Sequence, residues 1–205
     1  MSCQSAHQLA RFAAENPDIA TFQKGPFDWL ICPPDSAVSW LESRLETPQT
    51  SDFTIRRDKP YWPRHDLYFW HGYTWRDGDV RKLDINRTAA REAEKLAYQR
   101  EQFLTLDPAN TIFVVSNTQN NLAGDVFDQN EAEKYLLNAK RLHRLKSALD
   151  ATFTADTRLA LITRSDRLDG PLTESGKIIE IEPGDSEWKG ENTAWDNALK
   201  GLLGS

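Results

Sequence analysis

Ile112-Phe113-Val114-Val115-Ser116-Asn117 is the stretch on which the fold turns. Four consecutive apolar residues, three of them β-branched and none alternating with a polar one, describe a strand covered on both faces. Just before it, residues 86 to 105 carry Ala89, Ala93, Leu96, Phe103 and Leu104 as a stripe among charges, which predicts a long surface helix. After it, residues 130 to 150 read as a helix, Arg158 to Thr163 and Lys177 to Glu182 as buried strands, and Thr193 to Leu203 as a closing helix. Strands alternating with helices of this length imply an α/β layered domain. Its central sheet is expected to be mixed and partly parallel, with flanking helices. No composition shift suggests a boundary, so residues 1–205 read as a single domain.

The amino-terminal half is denser in turns and aromatic rings. Cys3 to Glu15 reads as a helix that stops ahead of Asn16-Pro17, because the residue before proline resists helical torsions. Pro33-Pro34-Asp35-Ser36 opens a second helix with Val38, Leu41 and Leu45 on one face. Residues 52–55 and 67–70 read as short strands separated by the aromatic loop Pro60-Tyr61-Trp62-Pro63-Arg64-His65. In Gly25-Pro26-Phe27-Asp28-Trp29-Leu30, Phe27 and Trp29 are expected to plug the core beneath the first helix. Asp28 would then cap a turn or accept an indole N–H; direct substrate contact by Asp28 and Trp29 is the functional alternative.

Bulk properties exclude several classes. The chain carries a formal charge of -6, the wrong sign for a nucleic-acid binder, which needs a basic face. No apolar run approaches the roughly 20 residues that span a bilayer, so no membrane role is expected. Two cysteines do not make a disulfide framework, and two free thiols point to a reducing, cytoplasmic setting. The segment 174–196 holds seven acids against two lysines, the composition of a solvated face.

The residues that could do chemistry are thiols and imidazoles. A thiol in the first turn of a helix feels the positive end of the backbone dipole, which lowers its pKa below the free value of about 8.5. Cys3 has that placement. Cys32, between Trp29-Leu30-Ile31 and Pro33-Pro34, sits in an apolar setting that keeps it inert. A nucleophilic thiol needs a base and a group that orients the base. His71 ends the run Leu67-Tyr68-Phe69-Trp70 and precedes Gly72, so it reads as a strand-end base. His65, beside Asp66, is its competitor. His7 lies one helical turn from Cys3, where an imidazole cannot readily approach the thiol from the substrate side, and His143 falls on a basic helix face. Asn117, at the carboxyl end of the buried strand, could accept the imidazole N–H and fix its tautomer, although it equally begins the polar turn Asn117-Thr118-Gln119-Asn120-Asn121. No spacing resembles a zinc site and no phosphate loop appears, so neither metal nor cofactor is expected.

Cys3-Gln4-Ser5-Ala6-His7-Gln8-Leu9 followed by Gly25-Pro26-Phe27-Asp28-Trp29-Leu30 resembles the opening of a bacterial domain of unknown function regarded as a papain-like cysteine peptidase. His71, the segment Tyr98-Gln99-Arg100-Glu101-Gln102-Phe103 and the strand Ile112-Phe113-Val114-Val115 fit the order of elements in that family, over residues 3 to 165. The resemblance implies a papain-like fold and a thiol hydrolase with Cys3 as nucleophile and His71 as base. Asn117 would complete a Cys-His-Asn site, with Asp28, Trp29, Trp70 and Tyr73 in contact with a peptide, glycan or small-molecule substrate. Two other readings compete. One is a non-catalytic sugar- or peptide-binding module built on Tyr61, Trp62, Trp70, Tyr73 and Trp75. The other is a glycan or nucleotide transferase, by analogy of fold alone.

Overall fold

A computed structural model describes residues 3–28, 30–77, 80–119, 133–172, 177–181 and 189–204. The strand read from Ile112-Phe113-Val114-Val115 is present. It is β6 (Ile112–Ser116), and it lies parallel to β7 (Arg158–Thr163), which in turn lies parallel to β8 (Lys177–Glu180). Ile112 pairs with Arg158 and Val115 with Leu161, while Ala160 pairs with Lys177. β7 is the centre of this sheet, and five of its six residues are buried. Its side chains alternate between two cores, as the pleat requires. Leu159 and Leu161 face a large core with Val115, Leu145 and Trp40, whereas Ile162 faces a smaller one with Phe12, Trp195 and Leu199.

Helices cover both faces of that sheet. α1 (Cys3–Glu15) and α5 (Asn192–Leu203) pack on one side, joined by the ion pair of Arg11 with Asp196. α2 (Pro34–Glu42), α3 (Ile85–Leu104) and α4 (Ala139–Phe153) contribute to the core on the other. Local chemistry fixes their ends. Asp84 and Asn138 accept the Arg87 and Arg141 N–H groups as amino-terminal caps, and proline opens α2. α4 begins nine residues later than the reading of 130–150, after a 3-10 turn at Glu133–Tyr135, and residues 130–132 lie outside the described ones.

The expected mixture of strand directions is divided between separate sheets. β1 (Thr54–Arg56), β2 (Lys59–Trp62) and β3 (Leu67–Tyr68) form an antiparallel meander, and β4 (Thr74–Asp77) pairs antiparallel with β5 (Val80–Leu83). The stretch read as a loop at Pro60–His65 therefore supplies strand β2, because Trp62 is needed in the core edge-on to Trp40 at 6.1 Å. β3 stops at Tyr68, so Trp70 and His71 stand in a bend beyond it. Among the described residues, no helix is long and apolar enough to cross a membrane.

Candidate functional site

α1 starts at the carboxyl end of the parallel sheet, where α/β folds place their ligand-handling groups. The Gln4 N–H donates to Gln119 Oε1 at 3.0 Å, and Thr118 Oγ1 donates to Gln4 Oε1. Farther along α1, Gln8 Nε2 donates to the Lys189 carbonyl at 2.7 Å and to Asn192 Oδ1 at 3.0 Å. These bonds hold the first turn, and Cys3 with it, against the loop that leaves β6.

Cys3 is only 3% exposed, and this corrects the expectation of a lowered pKa. Burial pushes the thiol up to about 11, overcoming its backbone hydrogen bond, and the Asp28 carboxylate adds to the rise. A helix dipole stabilises a thiolate by about 1 kcal/mol, whereas desolvation of a buried anion is the larger effect. Cys32 is fully buried and pushed up to about 12 by the same cause, so it is a core thiol. Neither cysteine forms a disulfide.

Asp28 is the residue that ties the site together. The turn Gly25–Asp28 is closed by the Gly25 N–H donating to Asp28 Oδ2 at 2.7 Å, and Phe27 projects from it into the core, edge-on to Trp40 at 5.1 Å and Phe103 at 5.7 Å. Burial raises the Asp28 carboxyl to about 6, against its Gly25 bond and the Lys24 charge. The same carboxylate reaches Cys3 electrostatically and lines a small cleft, about 40 Å³ in volume, together with His71, Tyr73, Glu92 and Gln99. His71 is exposed at the rim of that cleft.

Tyr73 is the most strained member. Its φ of +56° is a left-handed torsion that a bulky residue rarely adopts. The ring is 2% exposed and its hydroxyl has no hydrogen-bond partner among the described residues. Burial, reinforced by the Glu92 charge, keeps that hydroxyl protonated far beyond neutral pH. Stored backbone strain beside an unsatisfied buried donor is a recurrent mark of a binding site.

Glu92 and Gln99 escaped the sequence reading. They share the buried stripe of α3 with Thr88, Leu96 and Phe103, whereas Ala89 and Ala93 are half-buried. Polar residues at core spacing on an otherwise charged helix were the available signal. Glu92 is paired with Lys95 at 3.3 Å and Arg91 at 3.0 Å.

Asn117 plays a different part from the one expected. Its Nδ2 donates to the Tyr135 and Arg167 carbonyls, both at 3.0 Å, and its Oδ1 accepts from Thr163 Oγ1 at 2.7 Å. With both ends committed, it staples the ends of β6 and β7 to the neighbouring turns. His65, the competing base, is buried with Nδ1 2.7 Å from Ser39 Oγ and Nε2 2.7 Å from Glu46 Oε1. That chain links α2 to the β2–β3 turn. Asp66, its neighbour, accepts instead from Tyr61 and Lys134.

The aromatic cluster does not form one exposed platform. Trp62 and Tyr73 are core residues, and Trp70 is half-buried under Lys59 Nζ at 4.8 Å from its ring centroid. Trp75 is half-buried too, with the Arg87 guanidinium 3.8 Å from its ring centroid. Trp29 lies outside the described residues. Among those residues no cluster of His, Cys, Asp and Glu has the makings of a metal site. Scans against models of known families, curated proteins and solved structures find no match to this chain.

Proposed function

We propose that this chain is a cysteine-dependent hydrolase of acyl compounds, peptidase- or amidase-like in its chemistry. Cys3 is the nucleophile, His71 the base, and Asp28, in place of Asn117, the carboxylate that serves them. The observation that carries this reading is the cleft that Asp28 and His71 line together, with Asp28 fixed in its turn by the Gly25 N–H. The order Cys3, Gly25-Pro26-Phe27-Asp28, His71, which resembles the papain-like family, supports it independently.

The chemistry follows from the raised thiol. At pH 7 a group with a pKa of about 11 is thiolate in roughly one molecule in ten thousand. Attack therefore requires that the proton leave as the bond forms. Cys3 Sγ bonds to the substrate carbonyl carbon while its proton passes to a His71 ring nitrogen. The tetrahedral intermediate collapses and the leaving group departs with that proton; water, deprotonated by His71, then attacks the thioester carbonyl, and as the acid is released the imidazolium returns the proton to Cys3 Sγ. Tyr73 offers an unsatisfied hydroxyl as a donor to substrate. The reaction uses neither metal nor cofactor, and a cytoplasmic, reducing setting keeps Cys3 free.

The test is hydrolysis of a panel of p-nitrophenyl esters and peptide anilides by the full chain and its variants. Cys3→Ala and His71→Ala are each expected to lower kcat/KM at least a hundredfold, with Cys32→Ala unchanged. Equal turnover by the parent chain and Cys3→Ala overturns the reading.

A further inference from the structure

A cavity beside β6 and the small cleft at His71 meet at Asp28, which lines both. The cavity is the larger, at about 600 Å³, and this chain walls it itself. Phe12 and Leu199 line it from the α1 and α5 layer, and Phe103 and Leu145 from the opposite core. A further wall is the segment after α1, through Ile19, Ala20 and Phe22. Asp18, Gln23, Asn110 and Arg158, polar residues of the lining, are exposed and mark the open side. Helix α1 ties the cavity to the thiol as well. Cys3 is its first residue, and Leu9, Phe12 and Ala13 line the cavity from the turns that follow.

The two volumes divide the work of holding a substrate. At about 40 Å³ the cleft has room for about one or two water molecules, so only a reacting group fits there. The cavity falls within the range of small-molecule sites, about 300–1,000 Å³, and is far larger than a packing defect. Its walls decide what it takes. Between Phe12, Leu199, Phe103 and Leu145 a sugar hydroxyl or a charged side chain would lose its water and gain no partner from those side chains. One leucine or phenylalanine side chain of a peptide would leave most of the space empty, and the lining would forfeit its contacts there. A straight alkyl chain suits both the walls and the shape. The five residues of β6 span about 15 Å, the length of an extended chain of about twelve carbons.

We propose that this cavity binds the alkyl chain of a medium-chain fatty-acyl group, which makes the substrate of the hydrolase an ester, thioester or amide of such an acid. The carbonyl lies at the Asp28 end, where the cavity meets the cleft of His71, and the chain runs along β6 towards Arg158. The bond that is cleaved rests on the reading of Cys3 and His71 as nucleophile and base; the binding of the chain rests on the cavity alone.

The test has a binding arm and a turnover arm, both on the full chain. In the first, butan-2-one and decan-2-one displace the fluorescent probe N-phenyl-1-naphthylamine; these neutral ketones carry the carbonyl and the chain but no bond to cleave. Decan-2-one is expected to bind at least about a hundredfold more tightly, since each buried methylene is worth about a factor of four. Cys3→Ala is expected to bind it as the parent does. In the second, kcat/KM for p-nitrophenyl decanoate, below its micellar concentration, is expected to exceed that for the butanoate at least about tenfold. Ala13→Phe fills the cavity from a half-buried position on α1 and is expected to bring both preferences down at least about fivefold. Its urea midpoint checks the fold, and if it does not fold the two ketones on the parent chain decide. Preference for decan-2-one without ester hydrolysis supports the chain site and overturns the hydrolase. Hydrolysis with equal binding and equal kcat/KM at both chain lengths overturns the chain site and leaves the hydrolase standing, as does a decanoate preference that a folded Ala13→Phe retains in full.

Discussion

Asp28→Asn should stabilise this protein, and do so only where the parent carboxyl is ionised. Burial lifts Asp28 from 3.8 to about 6. An acid whose folded pKa lies above its unfolded one binds its proton more tightly in the fold, so its contribution falls as pH rises from the unfolded value through the folded one. Two units correspond to about 3 kcal/mol, and the half-buried position of the residue reduces the figure to roughly 1–3 kcal/mol. Asparagine keeps an oxygen for the Gly25 N–H and has no charge to bury. Urea or thermal unfolding of both proteins at pH 4 and pH 8 gives the difference directly, and every other titrating group cancels between them. At pH 8 the variant should be more stable by that amount, a rise in Tm of about 2–12 °C for a chain of this size. At pH 4 the two should differ much less. A variant no more stable than the parent at pH 8, or stabilised equally at both pH values, would refute the argument that Asp28 is held ionised against its surroundings.

Other expectations follow from the same contacts. Asn117→Ala removes three buried hydrogen bonds, so urea unfolding should show a loss of about 2–4 kcal/mol. Tyr73→Phe deletes a hydroxyl with no partner among the described residues; it should raise stability by up to about 1 kcal/mol while lowering kcat/KM for any ester the parent cleaves. His65→Ala leaves Ser39 and Glu46 without their bridge and should cost about 1–3 kcal/mol with turnover otherwise preserved, which separates His65 from His71.

The sequence carried the parallel sheet more clearly than the site. β6 and β7 are continuous apolar runs, and burial on both faces leaves no competing period to misread. The meander was harder, because Pro60-Tyr61-Trp62 has the composition of a loop and becomes strand only through Trp62 packing on Trp40. The β4–β5 hairpin went unseen behind the charges of Arg76, Asp77, Arg81 and Lys82, although the dipeptide Gly78-Asp79 is a hairpin signal in the sequence. At the site, the dipole acting on Cys3 is local and could be read; its burial is a product of the folded chain, and desolvation reverses the sign of the shift, with the distant Asp28 charge adding to it. Asn117 was placed correctly at a strand end. Its partners Thr163, Tyr135 and Arg167 lie 18 to 50 residues away, and they commit it to structure. Asp28 was visible both as a turn cap and as a ligand-facing carboxylate, and the structure gives it the cap and the shared cleft.

The central claim is that Cys3 becomes nucleophilic only through His71. Brief exposure of the chain to an activated thioester at pH 7, acid quench and peptide mapping by mass spectrometry measures it directly. The account predicts one acyl group on Cys3 in the parent chain, none on the buried Cys32, and none on Cys3 in His71→Ala. Equal acylation of Cys3 with and without His71, or an acyl group found elsewhere in the parent, would contradict it.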